Sequence, residues 1–105
     1  MLRFLLVQLG IISFRNKIIF YINMKNWTVY ILLCSDKTLY TGITTNTQQR
    51  LKTHNKGKGA KYTRGRLPVK LVWSQDNRTQ SQALKHEAKI KKYSKKQKLE
   101  LINKK

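Results

Sequence analysis

Apolar and polar positions alternate along this chain in blocks whose spacing changes, and those changes mark out its elements. Trp27-Thr28-Val29-Tyr30-Ile31-Leu32-Leu33-Cys34 is rich in β-branched and aromatic residues and reads as a strand. Ser35-Asp36-Lys37-Thr38 reads as a turn, because Ser and Asp side chains bond locally to the backbone. Leu39-Tyr40-Thr41-Gly42-Ile43-Thr44 returns as a second strand, so the pair predicts a hairpin. Asn46 with Gln49 has the spacing of a helix start, and that helix runs to about Lys56 before Gly57 stops it. A loop rich in Gly and Lys spans Gly57 to Pro68, and Val69 to Ser74 reads as a third strand. Thr79 with Gln82 opens a second helix through about Tyr93; Ser94 with Gln97 opens a third that ends near Asn103. The predicted class is α+β: a small three-stranded antiparallel sheet flanked by helices, in the order β-β-α-β-α-α.

The first 23 residues follow a different pattern. An apolar stretch from Phe4 to Phe14 is interrupted by Arg15, Asn16 and Lys17, and neither apolar piece reaches the ~20 residues that cross a bilayer. No Ala-x-Ala-like cleavage site follows it. A peripheral anchor, an extra packed element and an upstream reading of the gene all fit; Met24, followed at once by the first strand, is the favoured start. The chain therefore divides into an apolar extension, 1–23, and a domain, 24–105. No integral membrane association is expected.

Charge changes the picture most. The 105 residues hold 23 Lys and Arg against 4 Asp and Glu, for a net charge of +19. Residues 1–23 carry three basic and no acidic groups, so the remaining 82 keep +16. Such a chain attracts polyanions, with nucleic acid the default partner. Its 40% hydrophobic content excludes a disordered basic tail. The single cysteine, Cys34, can form neither an internal disulfide nor a cysteine metal site, which fits a reducing cytoplasm.

Against this background Glu87 stands out. Asp36 lies in a turn, Asp76 begins a loop and Glu100 sits among terminal lysines, but Glu87 has Ala83, Leu84 and Ile90 at −4, −3 and +3. That spacing turns it toward the buried side of its helix, where a carboxylate needs a partner: a metal ion or an internal ion pair with a lysine. His86, about 100° away around the helix, is expected at the surface. Tyr30 and Tyr40 lie on paired strands, so their rings can be neighbours. Gly42 in a strand marks a bulge or a close approach. Arg50 and His54, four residues apart, share a helix face. Each feature alone has an ordinary reading: core tyrosines with a wet hydroxyl, and a solvated Arg-His face. In the loop, Lys56, Lys58, Lys61, Arg64 and Arg66 alternate with glycines and Tyr62, which suits phosphate contact and stacking on an unpaired base.

Taken together these residues resemble the GIY-YIG endonuclease superfamily, most nearly its small single-domain bacterial members. The first motif corresponds to Val29-Tyr30-Ile31 and the second to Tyr40-Thr41-Gly42; Arg50, His54 and Glu87 match the family's arginine, histidine and metal-binding glutamate. Val29 stands for the usual Gly and Thr41 for the usual Ile, both flanking the tyrosines. The family's later asparagine has a doubtful counterpart in Asn103. The resemblance implies a metal-dependent endonuclease that hydrolyses DNA phosphodiesters, with branched or single-stranded structures as candidate substrates, RNA still open, and repair among its possible settings. It implies one divalent cation, Mg²⁺ or Mn²⁺, on Glu87. Arg50 would clamp the phosphate, one of Tyr30 and Tyr40 would serve as base directly or through a relay, and His54 would hold the tyrosine or water, or contact phosphate. A nearby metal and many cations are expected to favour the phenolate. The alternative is a nucleic-acid-binding module that keeps the fold without turnover.

Overall fold

A computed structural model describes residues 26–104. The apolar extension and Met24 lie outside the described residues. Three strands, β1 (Trp27–Leu33), β2 (Leu39–Thr44) and β3 (Lys70–Asn77), form one antiparallel sheet in the order β2-β1-β3. Helix α1 (Thr47–Asn55) and a one-turn helix α2 (Lys61–Arg64) lie between β2 and β3; α3 (Gln80–Lys91) and α4 (Lys95–Asn103) follow.

The predicted helix starts are real caps. Asn46, Thr79 and Ser94 each accept a backbone N–H from the residue three positions on, Gln49, Gln82 and Gln97. Gln97 also bonds back to the Ser94 backbone, completing a capping box. Two boundaries differ from expectation. The loop after α1 contains α2, and β3 continues to Asn77, three residues beyond Ser74. Asp76 is therefore a strand residue, and it is held there by a 2.7 Å hydrogen bond from the Thr28 hydroxyl on β1.

Central β1 is covered on both faces, which explains its nearly unbroken apolar run. Val29 and Ile31 pack with Trp73, Ala83 and Ile90 under α3, and Leu101 and Ile102 of α4 extend that cluster. Tyr30, Leu32 and Cys34 face the other way, with Val69, Tyr40, Leu51 and Leu67. Complete burial of Val29, Ile31 and Ile90 contributes on the order of 1.5–3 kcal/mol each. A bulge interrupts the β1–β3 register between Ile31 and Leu32, which pair with Trp73 and Leu71 and leave Val72 extra. The bulge is thus on β3, while Gly42 keeps regular register opposite Tyr30.

Helix α3 meets the sheet through Ala83 and Ile90, two turns apart, both fully buried. Leu84 is 47% exposed, so the inward stripe is narrower than the sequence spacing suggests, and Glu87 lies at its margin. His86 is half-buried rather than at the surface: its ring stands edge-on to Trp73 at 5.8 Å and meets the Asn77 amide at 3.5 Å.

Candidate active site

Tyr30 and Tyr40 occupy diagonal positions of the hairpin, since Tyr30 pairs with Gly42 and Leu32 with Tyr40. Their ring centroids are 6.4 Å apart. The intervening position must be glycine. A Cβ on Gly42 would lie 2.6 Å from the Tyr30 hydroxyl and 2.8 Å from its Cζ, well inside contact distance. The close approach at Gly42 is therefore that of a side chain, the Tyr30 phenol.

Helix α1 delivers Arg50 and His54 one turn apart. His54 is fully buried, not part of a solvated face. Its Nε2 is 3.0 Å from the Tyr30 hydroxyl, and its ring lies 5.4 Å from that of Tyr40. The Nδ1 atom is 2.8 Å from the Thr63 hydroxyl, which in turn donates to the Ala60 carbonyl at 2.9 Å. Those bonds assign the tautomer. A carbonyl can only accept, so the Thr63 proton is committed to Ala60 and its oxygen must accept Nδ1–H. Nε2 is left with a lone pair for the Tyr30 proton. The phenol oxygen has the Arg50 guanidinium beside it as a donor.

Electrostatics agree with this neutral chain. Burial raises the Tyr30 pKa above its ordinary value; the neighbouring Arg50 guanidinium pulls the other way, and Tyr40 and Glu87 add to the rise. Burial also lowers the His54 pKa, helped by the positive charge of Arg50. Without a bound cation, burial outweighs the pull of Arg50 at the Tyr30 phenol. Arg50 is half-buried and, among the described residues, forms no ion pair, so its guanidinium is available to an anion.

Glu87 sits on α3, whose contacts are with the opposite face of the sheet, yet its charge is felt at the Tyr30 phenol. Its side chain is 17% exposed and pairs with Lys91, one turn on, at 3.4 Å. Among the described residues no three His, Cys, Asp or Glu side chains come together as a cage. The donor set therefore fits a hard cation that retains its waters and takes further ligands from a substrate, as Mg²⁺ does, and not one enclosed by protein.

The loop after α1 divides into two roles. Lys56, Lys58 and Lys61 are exposed. Arg64 bonds the Gly59 carbonyl through Nε at 3.3 Å. Arg66 is largely committed: Nε bonds Asp36 at 2.9 Å, a second nitrogen donates to the Tyr62 carbonyl at 2.8 Å, and the guanidinium covers the Tyr62 ring at 3.9 Å. Tyr62 also lies alongside Tyr40, with centroids 6.0 Å apart and planes at 23°. An open Tyr62 face awaiting a base is thus not what the structure presents, and Arg66 works as a strap to the hairpin turn.

Three residues of the site, Thr63, Asn55 and Gly59, have no role assigned from the sequence. Thr63 orients His54, and Asn55 clamps Val69 through both its backbone donor and acceptor, at 2.8 and 3.1 Å. Gly59 lets the loop backbone close on His54, since any Cβ there would strike the imidazole. Thr41 is buried with its hydroxyl unpartnered.

Comparison with known proteins gives these positions a context. Residues 26–100 match the GIY-YIG catalytic domain. A UPF0213 protein of Syntrophus aciditrophicus is 60% identical over 79 residues, covering 74% of this chain and 90% of that protein. A UPF0213 protein of Staphylococcus haemolyticus is 49% identical over 79 residues, covering 75% and 96%. The fold is also similar to two solution NMR structures. One, a protein from E. faecalis, has a TM-score of 0.54 at 42% identity and covers 78% of this chain and 88% of that one. The other, a UPF0213 protein from Bacillus halodurans, has a TM-score of 0.51 at 44% identity, with 76% and 85% covered. With the catalytic-domain match spanning most of its length and both tyrosine motifs in register on the hairpin, the chain belongs to the GIY-YIG family.

Proposed function

We propose that this protein is a metal-dependent endonuclease that hydrolyses phosphodiester bonds in DNA, with RNA as a secondary possibility. The observation that carries the reading is the polar chain from Tyr30 through His54 to Thr63, buried beside a guanidinium without an ion-pair partner. A merely structural tyrosine has no need of a tautomer-locked imidazole behind it.

In this mechanism Tyr30 need not ionise first. A water beside the phenol gives a proton to the Tyr30 oxygen as the Tyr30 proton passes to His54 Nε2, and the hydroxide attacks phosphorus. The bond from phosphorus to the leaving sugar oxygen breaks, and that oxygen takes a proton from solvent. Thr63 keeps Nδ1–H engaged and holds the ring in place as it becomes cationic. Arg50 presents a planar fork to the phosphoryl oxygens as charge accumulates on them. Tyr40 orients the water and the ring of Tyr30. Glu87 would hold one Mg²⁺ or Mn²⁺, which when bound polarises the phosphate and offsets charge on the leaving oxygen. Lys56, Lys58, Lys61 and Arg64 attract the strand without reading bases. A cytoplasmic location suits the lone buried thiol of Cys34.

The second reading, a binding module without turnover, is favoured by the Glu87–Lys91 pair, which occupies the proposed metal ligand. Incubation of the protein with duplex, single-stranded and forked DNA, each with Mg²⁺, Mn²⁺ or EDTA, separates the two. The nuclease reading expects cutting of at least one substrate that stops in EDTA. Binding to all three with no cutting in either metal establishes the module instead.

A further inference from the structure

Along the edge of β2 lies a hollow of about 270 Å³ bordered by Leu39, Tyr40, Thr41, Tyr62, Lys91 and Lys98. Two of its side chains are cationic and none is acidic. Lys98 is half-buried and, among the described residues, has no ion-pair partner. Among the described residues that border the hollow, none offsets the charge of Lys98. The site wants an anion. Two lysines on one hollow suit a phosphodiester of a strand that also reaches the site beside Tyr40.

Lys91 also holds Glu87. At 3.4 Å the pair is longer than a well-formed charged hydrogen bond, and the Lys91 side chain is 53% exposed. The lysine end of the pair is free to swing into solvent, so the pair exchanges readily. Resting on the nuclease reading above, we propose that Lys91 and Lys98 form a subsite for a phosphodiester next to the scissile one, and that filling it draws Lys91 away from Glu87. Strand binding then frees the carboxylate for its cation. Until a strand arrives, Lys91 competes with the metal, so coupling between strand and cation is reciprocal.

The test measures Mn²⁺ affinity from the electron paramagnetic resonance of the free ion, using the full chain carrying Tyr30→Phe so that the strand stays intact. Titrations are run alone, with a short single-stranded oligonucleotide, and with inorganic phosphate at the same phosphate concentration. The oligonucleotide is expected to tighten Mn²⁺ binding on the order of five-fold or more. Adding Lys91→Ala should tighten it without oligonucleotide and remove most of the further gain. Lys85→Ala, which deletes the same charge from an exposed position of α3, should do neither. Equal behaviour of Lys91→Ala and Lys85→Ala overturns the proposal, while the nuclease reading stands if wild-type protein still cuts DNA. Absence of Mn²⁺ binding under every condition overturns both. A full response to inorganic phosphate overturns the assignment to a strand.

Discussion

The Tyr30 hydroxyl sits 3.0 Å from Nε2 of a completely buried His54, and this contact joins the central strand to helix α1. Because Thr63 accepts from the other ring nitrogen, the pair is poised in one protonation state. Thr63→Val keeps the volume but leaves Nδ1–H without an acceptor. It should cost about 1–3 kcal/mol of stability, as a buried unsatisfied donor does. It should also lower the cleavage rate beyond any effect of that instability, because the other tautomer turns a donor toward Tyr30. Thr63→Ser should restore both, which chemical denaturation and single-turnover cleavage would show.

The pKa directions make a pH prediction. His54 and His86 both have folded pKa values lowered by burial, below the ordinary 6.5. The unfolded chain therefore binds more protons as pH falls, and stability present above about pH 6.5 is lost on acidification toward the depressed folded values. Tyr30 has the opposite shift, so its contribution is intact below the ordinary 10.0 and disappears as pH rises beyond that. Cleavage should fall on the acid side as His54 becomes protonated and can no longer accept from Tyr30. Thermal melts and rates from pH 5 to 8, compared between wild type and His54→Gln, check it; a wild-type rate that rises toward pH 5 contradicts the relay.

Gly42→Ala is the smallest change that should disable the site. The new methyl would overlap the Tyr30 hydroxyl at 2.6 Å and approach the Tyr40 ring at 3.1 Å. Overpacking of this kind costs about 1–3 kcal/mol, and here relief requires moving the reactive phenol. Loss of cutting should therefore exceed the loss of folded protein. Circular dichroism alongside a cleavage assay separates the two.

Asn55→Ala should loosen the loop without touching a reacting group. It removes both hydrogen bonds to the Val69 backbone, one of whose partners would then be buried and unpaired. A destabilisation of about 1–3 kcal/mol is expected. Faster amide exchange should appear at Val69 and in the α2 segment while the sheet stays protected.

The fold was largely legible because its local signals are strong. Asn46, Thr79 and Ser94 each cap the helix they announced, and the β1–β2 hairpin brings the rings of Tyr30 and Tyr40 together as neighbours. Reading went wrong where tertiary contacts decide. β3 runs past Ser74 because Asp76 finds Thr28 across the sheet, a partner 48 residues away. Glu87 is mostly buried, as its spacing implies, but Leu84 is not, because α3 is turned so that Ala83 meets the sheet instead. Tyr62 and Arg66 looked free for nucleic acid, whereas they pack on each other and on Tyr40. Thr63 and Asn55 act through bonds to residues 9 and 14 positions away, and no periodicity marks such pairs.

The central claim is that Arg50 and Glu87 act on the reacting phosphate rather than on the fold or on the grip for nucleic acid. It is tested most directly by measuring, on one DNA substrate, single-turnover cleavage in Mg²⁺ and fluorescence anisotropy in EDTA for wild type, Arg50→Ala and Glu87→Ala. The account predicts that cutting falls by on the order of 10²-fold or more in both variants while affinity changes only a few-fold. Equal losses of cutting and binding, or cutting that survives either substitution, would contradict it.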